Sequence, residues 1–534
     1  LIEARGSILI CKMALEAASV TRSSRMNNKQ RMTLKIAIIG SGAAAVGVLR
    51  AIEEWRPQAE VTVFDQAEDP TGPFFTDQEP AHRSSAYHRD LYRHMRRTIG
   101  LKFPPPKTNF GLEPAKRRIP DWGNVWESGM RGGLTNFWGA SSLPFTDDDL
   151  HGWPIKAADL SPYYSRIAEM IGISGGYDPL GTYLGNDFVN RPPITRPPVF
   201  DKLQNAINDP AAAMPFRVAA GTGRLALETR KDRSNRCIYS GACMTGCSSD
   251  SIYSARRDIE RYARSGLIQS FIRGTVLAVH SNPLRLKVKT ESGEQEHGPF
   301  DRVFTCAGCI GSTEIVMRSL GLRSGPLVTD NSVYTFPIIY TGLPLKQPQD
   351  DQHFAMTNLL AYCIPGHMDG RVAMIQVYPS IDFLWRYYFP VWFWPLFQPI
   401  GNLLRRRVLW GRVFLHGDYS QQYALKLLES DQLALSLTRR PKALTEVPGL
   451  WRSIRKTIGR KGFFIPPLAK IRHATSSHYA GSLPLGEGPI GVNGAFLPGA
   501  YICDSAGFTN APAPSLTFTI MANACRIAHG ALQY

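Results

Sequence analysis

The chain is expected to fold as an α/β protein: a Rossmann-like dinucleotide-binding domain joined to a second domain built on an antiparallel β-sheet and helices. Two observations predict this. The first is the stretch Leu34 to Asp65, in which an apolar run, a glycine-rich turn, a helix, a second apolar run and an acid follow one another. The second is a group of later runs, among them Ser332 to Thr341, Val372 to Val377 and Leu433 to Thr438, that read as strands between 330 and 440.

Ile36 to Ile39 is short and β-branched enough to be a buried parallel strand. Gly40-Ser41-Gly42-Ala43-Ala44-Ala45 then forms a GxGxxA turn. Gly40 permits the tight turn, Gly42 lets the backbone approach a pyrophosphate, and Ala45 lets the helix sit close to the sheet. The helix should run to about Trp55, with its N-terminal amides facing the phosphates. A second strand, Val61 to Phe64, ends at Asp65, twenty residues past Ala45, where a carboxylate can accept hydrogen bonds from a ribose. Order and spacing together point to a bound dinucleotide; the bland alternative is a glycine-rich turn in an unliganded α/β domain.

Further on, a helical patch is expected around Tyr87 to Ile99, and Gly129 to Gly139 is a second glycine-rich turn with aromatic content. A helix is expected to begin at Asp159 or Ser161 with Pro162 in its first turn. Residues 180–235 are proline-rich and polar, which suggests a covering loop or a domain crossover. Helices are expected over Tyr253 to Arg264 and Thr313 to Leu320. Between them lie a β-meander from Ile268 to Thr290 and a strand from Phe300 to Cys306. A short strand at Tyr501 to Asp504 and a last helix from about Thr517 to Gly530 complete the reading.

The 534 residues include 61 basic and 44 acidic side chains, a net charge of +17, with no accompanying nucleic-acid-binding motif. The nine cysteines are too few and odd in number for a disulfide framework, which favours a reducing, cytoplasmic setting. Cys237, Cys243 and Cys247 lack the paired C-x₂-C spacing of zinc sites, so they are read as packing residues and no metal is expected. Residues 1–31 contain only a weakly apolar run, interrupted by Lys12 and Glu16, and are read as dispensable upstream sequence.

Several motifs in order give the chain a family likeness: the Gly40 turn, Arg131-Gly132-Gly133, the cysteine segment ending at Cys247, Cys306-Ala307-Gly308, His478-Tyr479-Ala480-Gly481, and the tail from Cys503-Asp504 to Thr517. From Leu34 onward the sequence resembles the glucose–methanol–choline (GMC) flavoprotein oxidoreductases. The resemblance implies FAD, with the first turn on the ADP pyrophosphate and Asp65 on the ribose. Gly132, Gly133 and Thr135 would wrap the middle of the flavin cofactor and Val276 would lie near the adenine. Ala307 and Gly308 would sit beside the cofactor, Asp504 near the ribityl or pyrophosphate, and Pro514 and Thr517 at the pyrimidine edge. Phe137 stands where some relatives carry a flavin-linked histidine, so the FAD is expected to be non-covalent.

The same resemblance implies a discontinuous FAD-binding domain over 32–150, 236–325 and 470–534, with the substrate domain over 151–235 and 326–469. The catalytic residue would be His478, taking the hydroxyl proton of a small alcohol or sugar while hydride passes to flavin N5; the electron acceptor is unspecified. The family's second polar residue falls at Ala513, which offers no donor or acceptor. Either Asn510 or Ser515 substitutes for it, or the protein is a flavoprotein with non-redox or structural FAD, isomerase-like or a membrane-associated binding module.

Finally, residues 383–412 are strongly aromatic. Eighteen of them, Tyr387 to Leu404, carry no charge, and Arg405, Arg406, Arg407 and Arg412 follow. Prolines 390, 395 and 399 argue against a span. The segment is therefore expected to face an anionic membrane surface, which would favour a lipophilic or lipid-linked substrate, the alternative being a buried core or an oligomer interface.

Overall fold

The computed structural model describes residues 33–66, 118–119, 123–209, 216–239, 243, 247, 249–342, 354–365, 373–380, 407–466 and 472–533. The expected patch at Tyr87 to Ile99, the upstream residues 1–31 and most of the aromatic segment lie outside these.

The Lys35–Ile39 strand is the centre of a six-stranded sheet. It pairs in parallel with Glu60–Asp65 on one side and Arg302–Thr305 on the other. Ser270–Arg273 and Ala500–Ile502 extend it in parallel, and Ala495–Leu497 closes one edge antiparallel. Ile36, Ala37, Ile38 and Ile39 are all buried, as a strand covered on both faces must be. The Ala43–Trp55 helix covers one face. At Gly47 it approaches the Thr517–Leu532 helix so closely that a Cβ would stand 2.3 Å from the Met521 carbonyl oxygen.

Ser270–Arg273 belongs to the parallel sheet, and the meander proper is the separate three-stranded sheet of Thr275–His280, Leu284–Thr290 and Gly293–Phe300. The helix expected at Thr313 begins four residues earlier, as Cys309–Ser319. Likewise the Ala157–Ile171 helix starts ahead of Asp159 and carries Pro162 inside it. Asp159 still acts at that helix start, accepting the Lys156 N–H at 2.8 Å.

The second domain is a nine-stranded sheet whose spine is the 17-residue strand Ser324–Tyr340. Val408–Phe414, Gln421–Leu427 and Arg472–Ala480 all pair with it antiparallel. One face of the sheet buries Phe336, Ile338, Ile375, Leu409 and Val413 under the helices Pro198–Asn208 and Leu450–Ile458. The other face, with Met374, Tyr378, Trp410 and Phe414, shares a core with the nucleotide domain.

Two expectations need correction here. Residues 180–235 are not merely a loop: Val199, Phe200, Leu203, Ala206 and Ile207 form the apolar stripe of the Pro198–Asn208 helix. The prolines before Val199 start that helix instead of breaking it, since its first N–H groups need no partner within it. The end of the aromatic segment is also different, because Val408–Phe414 is an interior strand and Arg412 lies over the rings of Tyr378 and Phe414. Among the described residues no helix is long and apolar enough to cross a membrane.

Candidate active site

The C-terminal ends of four parallel strands converge: Gly40, Asp65, Cys306-Ala307-Gly308 and Cys503-Asp504. This edge is where open α/β sheets bind ligands. At Gly40 (φ +97°) a Cβ would lie 2.4 Å from the Cys306 carbonyl oxygen, so two strand ends touch there through bare backbone. A Cβ on Gly42 or on Gly308 (φ +80°) would meet no protein atom within 4 Å. Both glycines are helix N-caps without a side-chain cap, so two helix N-termini open on space that protein does not fill. Ser41 Oγ is buried beside them with no hydrogen-bond partner among the described residues. Ala45 is fully buried against the sheet. These observations suit a dinucleotide pyrophosphate.

The second glycine turn docks on the first. Gly132 N–H donates to the Ser41 carbonyl at 3.1 Å, and a Cβ on Gly133 would lie 3.4 Å from Gly42 Cα. Thr135 has a structural task as well: its hydroxyl donates to the Gly132 carbonyl at 2.5 Å and accepts the Ala255 N–H at 2.9 Å. Asp504 is buried at the neighbouring strand end. It accepts from the Ser312 hydroxyl at 2.5 Å and the Ala506 N–H at 3.0 Å, and burial pushes its carboxyl up to about 6. Val276 is buried on the meander opposite Val288, in the core that includes Ile39 and Phe64. Pro514 is buried and Thr517 opens the Thr517–Leu532 helix, which has no side-chain cap.

His478 comes from the second sheet. Its strand is bulged: Asp330 pairs with Tyr479 and Ser332 with Thr475, so Asn331 alone stands opposite Ser476, Ser477 and His478. Ser477 takes φ +62°. The Asp330 carboxylate fastens this bulge, accepting from Ser476 N–H (3.3 Å), Ser476 Oγ (2.9 Å), His478 N–H (3.3 Å) and Gln421 Nε2 (2.9 Å). The imidazole of His478 stacks on Phe414 at 5.4 Å and 17°, and its Nδ1 is buried without a partner among the described residues. Burial first, and the Arg412 charge second, lower its pKa to about 4.

Ala513 is fully buried. Asn510 lies beside the histidine element, its Cα 3.7 Å from where a Gly481 Cβ would be, but its Oδ1 accepts the Trp153 indole N–H at 3.3 Å. Ser515 is buried nearby in sequence. Cys237, Cys243 and Cys247 line one small cavity; Cys247 Sγ accepts the Ser251 N–H at 3.2 Å, and burial raises the Cys237 thiol to about 11. No group of three His, Cys, Asp or Glu side chains among the described residues is disposed to hold a metal ion.

Comparison with solved structures covers almost the whole chain. Pyridoxine 4-oxidase from Mesorbium loti superposes with a TM-score of 0.57 at 14% identity, over 93% of this chain and 99% of that one. The chain has the GMC oxidoreductase fold. An R554A variant of formate oxidase from Aspergillus oryzae RIB40 gives 0.58 at 11% identity, over 94% and 98%. An FAD-dependent oxidoreductase from Chaetomium thermophilum gives 0.56 at 12%, over 93% and 98%. No protein-family profile and no curated protein sequence matches. Within this GMC fold, sequence reasoning missed Asp330, Phe414 and the placement of Arg412. Their only local sign is alternation along strands, which does not show what lies across them.

Proposed function

We propose that the protein is an FAD-dependent oxidoreductase that oxidises a CH–OH group. The observation that carries this is the combination, in one GMC fold, of glycine-lined strand ends around unfilled space and an imidazole on the second sheet whose buried Nδ1 has no hydrogen-bond partner among the described residues. Gly40, Gly42 and Ala45 would hold the pyrophosphate, Asp65 the ribose, and Gly132, Gly133, Ala307, Gly308 and Asp504 the remainder of the cofactor, with Val276 near the adenine. Bound FAD would supply a hydride acceptor at N5. His478 takes the hydroxyl proton of the substrate on Nε2, the ring nitrogen that is not enclosed. Its depressed pKa keeps the imidazole neutral and able to accept that proton. Phe137 has no nucleophile, so the FAD is non-covalent, and acid precipitation should leave a colourless pellet.

The deciding experiment is anaerobic bleaching of the bound flavin by a panel of alcohols and sugars. His478→Ala should reduce the rate by about 10²–10⁴-fold while FAD stays bound; unchanged bleaching sinks the assignment. Ala513, buried and apolar, favours a second reading in which FAD is retained for non-redox or structural work. A flavin that no compound bleaches would support it. The uncharged aromatic run within 383–412 supports peripheral attachment to an anionic surface and a lipophilic substrate. Failure to sediment with anionic vesicles rejects that part alone.

A further inference from the structure

We propose that Asn331 is a positioning residue for the reaction: its side-chain oxygen holds the proton of His478 on Nδ1, so that Nε2 is the nitrogen offered to the carbinol. This rests on the reading that His478 is the base.

Asn331 and His478 share one face of the second sheet. Val333 pairs with Phe414, and both lie in the core shared with the nucleotide domain. Alternation along the strand puts Asn331, two residues earlier, on that same face. The His478 ring is there too, stacked on Phe414. Its backbone N–H is 3.3 Å from the carboxylate of Asp330, the residue before Asn331. Two further segments touch both residues. Asn331 Nδ2 donates to the Leu415 carbonyl at 2.8 Å, next to the ring on which His478 stacks, and to the Ala511 carbonyl at 2.9 Å. Ala511 follows Asn510, whose Cα is 3.7 Å from where a Gly481 Cβ would stand, three residues past His478.

Those two bonds orient the amide. Turned over, it would set its oxygen against two carbonyl oxygens, so Nδ2 faces them and Oδ1 faces away. Asn331 is fully buried, and its Oδ1 has no hydrogen-bond partner among the described residues. Nδ1 of His478 is enclosed and equally without one. An orphaned acceptor beside an orphaned ring nitrogen is satisfied directly only when the nitrogen carries the proton; the other tautomer sets two acceptors against each other. Bonds of this kind are often long in the resting protein and tighten in the loaded one. Ala513 supplies no polar group to share the task. Asn331 therefore fixes the tautomer, while Asp330 fixes the backbone.

The test uses the FAD-containing protein. Nitrogen NMR of protein labelled at histidine reads which ring nitrogen of His478 is protonated, its signals being assigned by their loss in His478→Gln. The parent should carry the proton on Nδ1. Asn331→Leu, close in volume but without an acceptor, should move His478 towards the Nε2-protonated form. In anaerobic bleaching by alcohols it should lower kcat about tenfold or more, with KM and FAD content near the parent's. It should fold, because the Leu415 carbonyl still accepts from the Ser420 hydroxyl at 3.2 Å and the Ala511 carbonyl from the Gly417 N–H at 2.8 Å. Asn331→Ala serves if leucine is not accommodated. Asn331→Asp, which keeps an acceptor, should hold the parent's tautomer. A parent protonated on Nε2, or a tautomer unchanged in Asn331→Leu, overturns the proposal. Bleaching at an unchanged kcat in that variant overturns it while leaving CH–OH oxidation standing. An Asn331-dependent tautomer with no bleaching by any compound supports the hydrogen bond and removes the oxidation reading instead.

Discussion

Asp330 governs where His478 points. Its carboxylate accepts four hydrogen bonds from the bulge and from Gln421, and burial raises its pKa to about 6. Asp330→Ala should release the bulge, lowering kcat about tenfold or more through misplacement of the imidazole while FAD content holds. Asp330→Asn, which keeps an acceptor, should recover part of that loss. The pH profile gives a second check. The pKa of His478 is lowered from 6.5 to about 4, so the imidazole stays neutral until pH falls through about 4. The acid limb of kcat/KM should therefore lie nearer pH 4 than 6.5. Asp330 protonates on the way down, near pH 6, so the limb is best read in Asp330→Asn as well as in the parent protein. Asp330 did not stand out in the sequence, and Arg412 did so only as one of the arginines that follow the aromatic run. Asp330 acquires its place by pairing across strands with Tyr479, and Arg412 comes to lie over Phe414 because its strand pairs within the second sheet; no local pattern encodes that register.

At the scale of elements, two neighbouring glycines should behave oppositely. A methyl group at Gly40 collides with the Cys306 carbonyl at 2.4 Å, whereas one at Gly42 enters open space. Gly40→Ala should thus fail to fold or unfold at markedly lower temperature. Gly42→Ala should fold normally but hold FAD weakly, as read by circular dichroism and flavin content. The strand, turn, helix and acid of residues 34–65 were legible because each part is local and each has a steric reason. Helix starts were less so. Gly308, with its positive φ, caps the Cys309–Ser319 helix, yet Cys309-Ile310-Gly311 looks unhelical in isolation. The prolines at 197 and 198 read as breakers because their place at a helix entrance depends on the apolar stripe that follows.

Across the whole molecule, the proposed cofactor site draws on the glycine turns, the Cys306–Gly308 and Cys503–Asp504 strand ends, and the sheet that carries His478. A ligand bound by so many separate segments should stabilise the fold strongly. By mass action, saturation at a thousand times Kd adds about 4 kcal/mol. The apoprotein should therefore melt at a clearly lower temperature and be cut sooner by protease, with added FAD restoring both.

The close seat of Gly47 against Met521 also has a bearing on synthesis. The Ala43–Trp55 helix leaves the ribosome long before its partner, Thr517–Leu532, is translated. Until then the apolar flank of the early helix has nothing to cover it, and the nascent chain must be shielded by holdase chaperones or by transient non-native contacts. Deleting the later helix should yield aggregated, colourless protein even though every glycine of the nucleotide turn is intact.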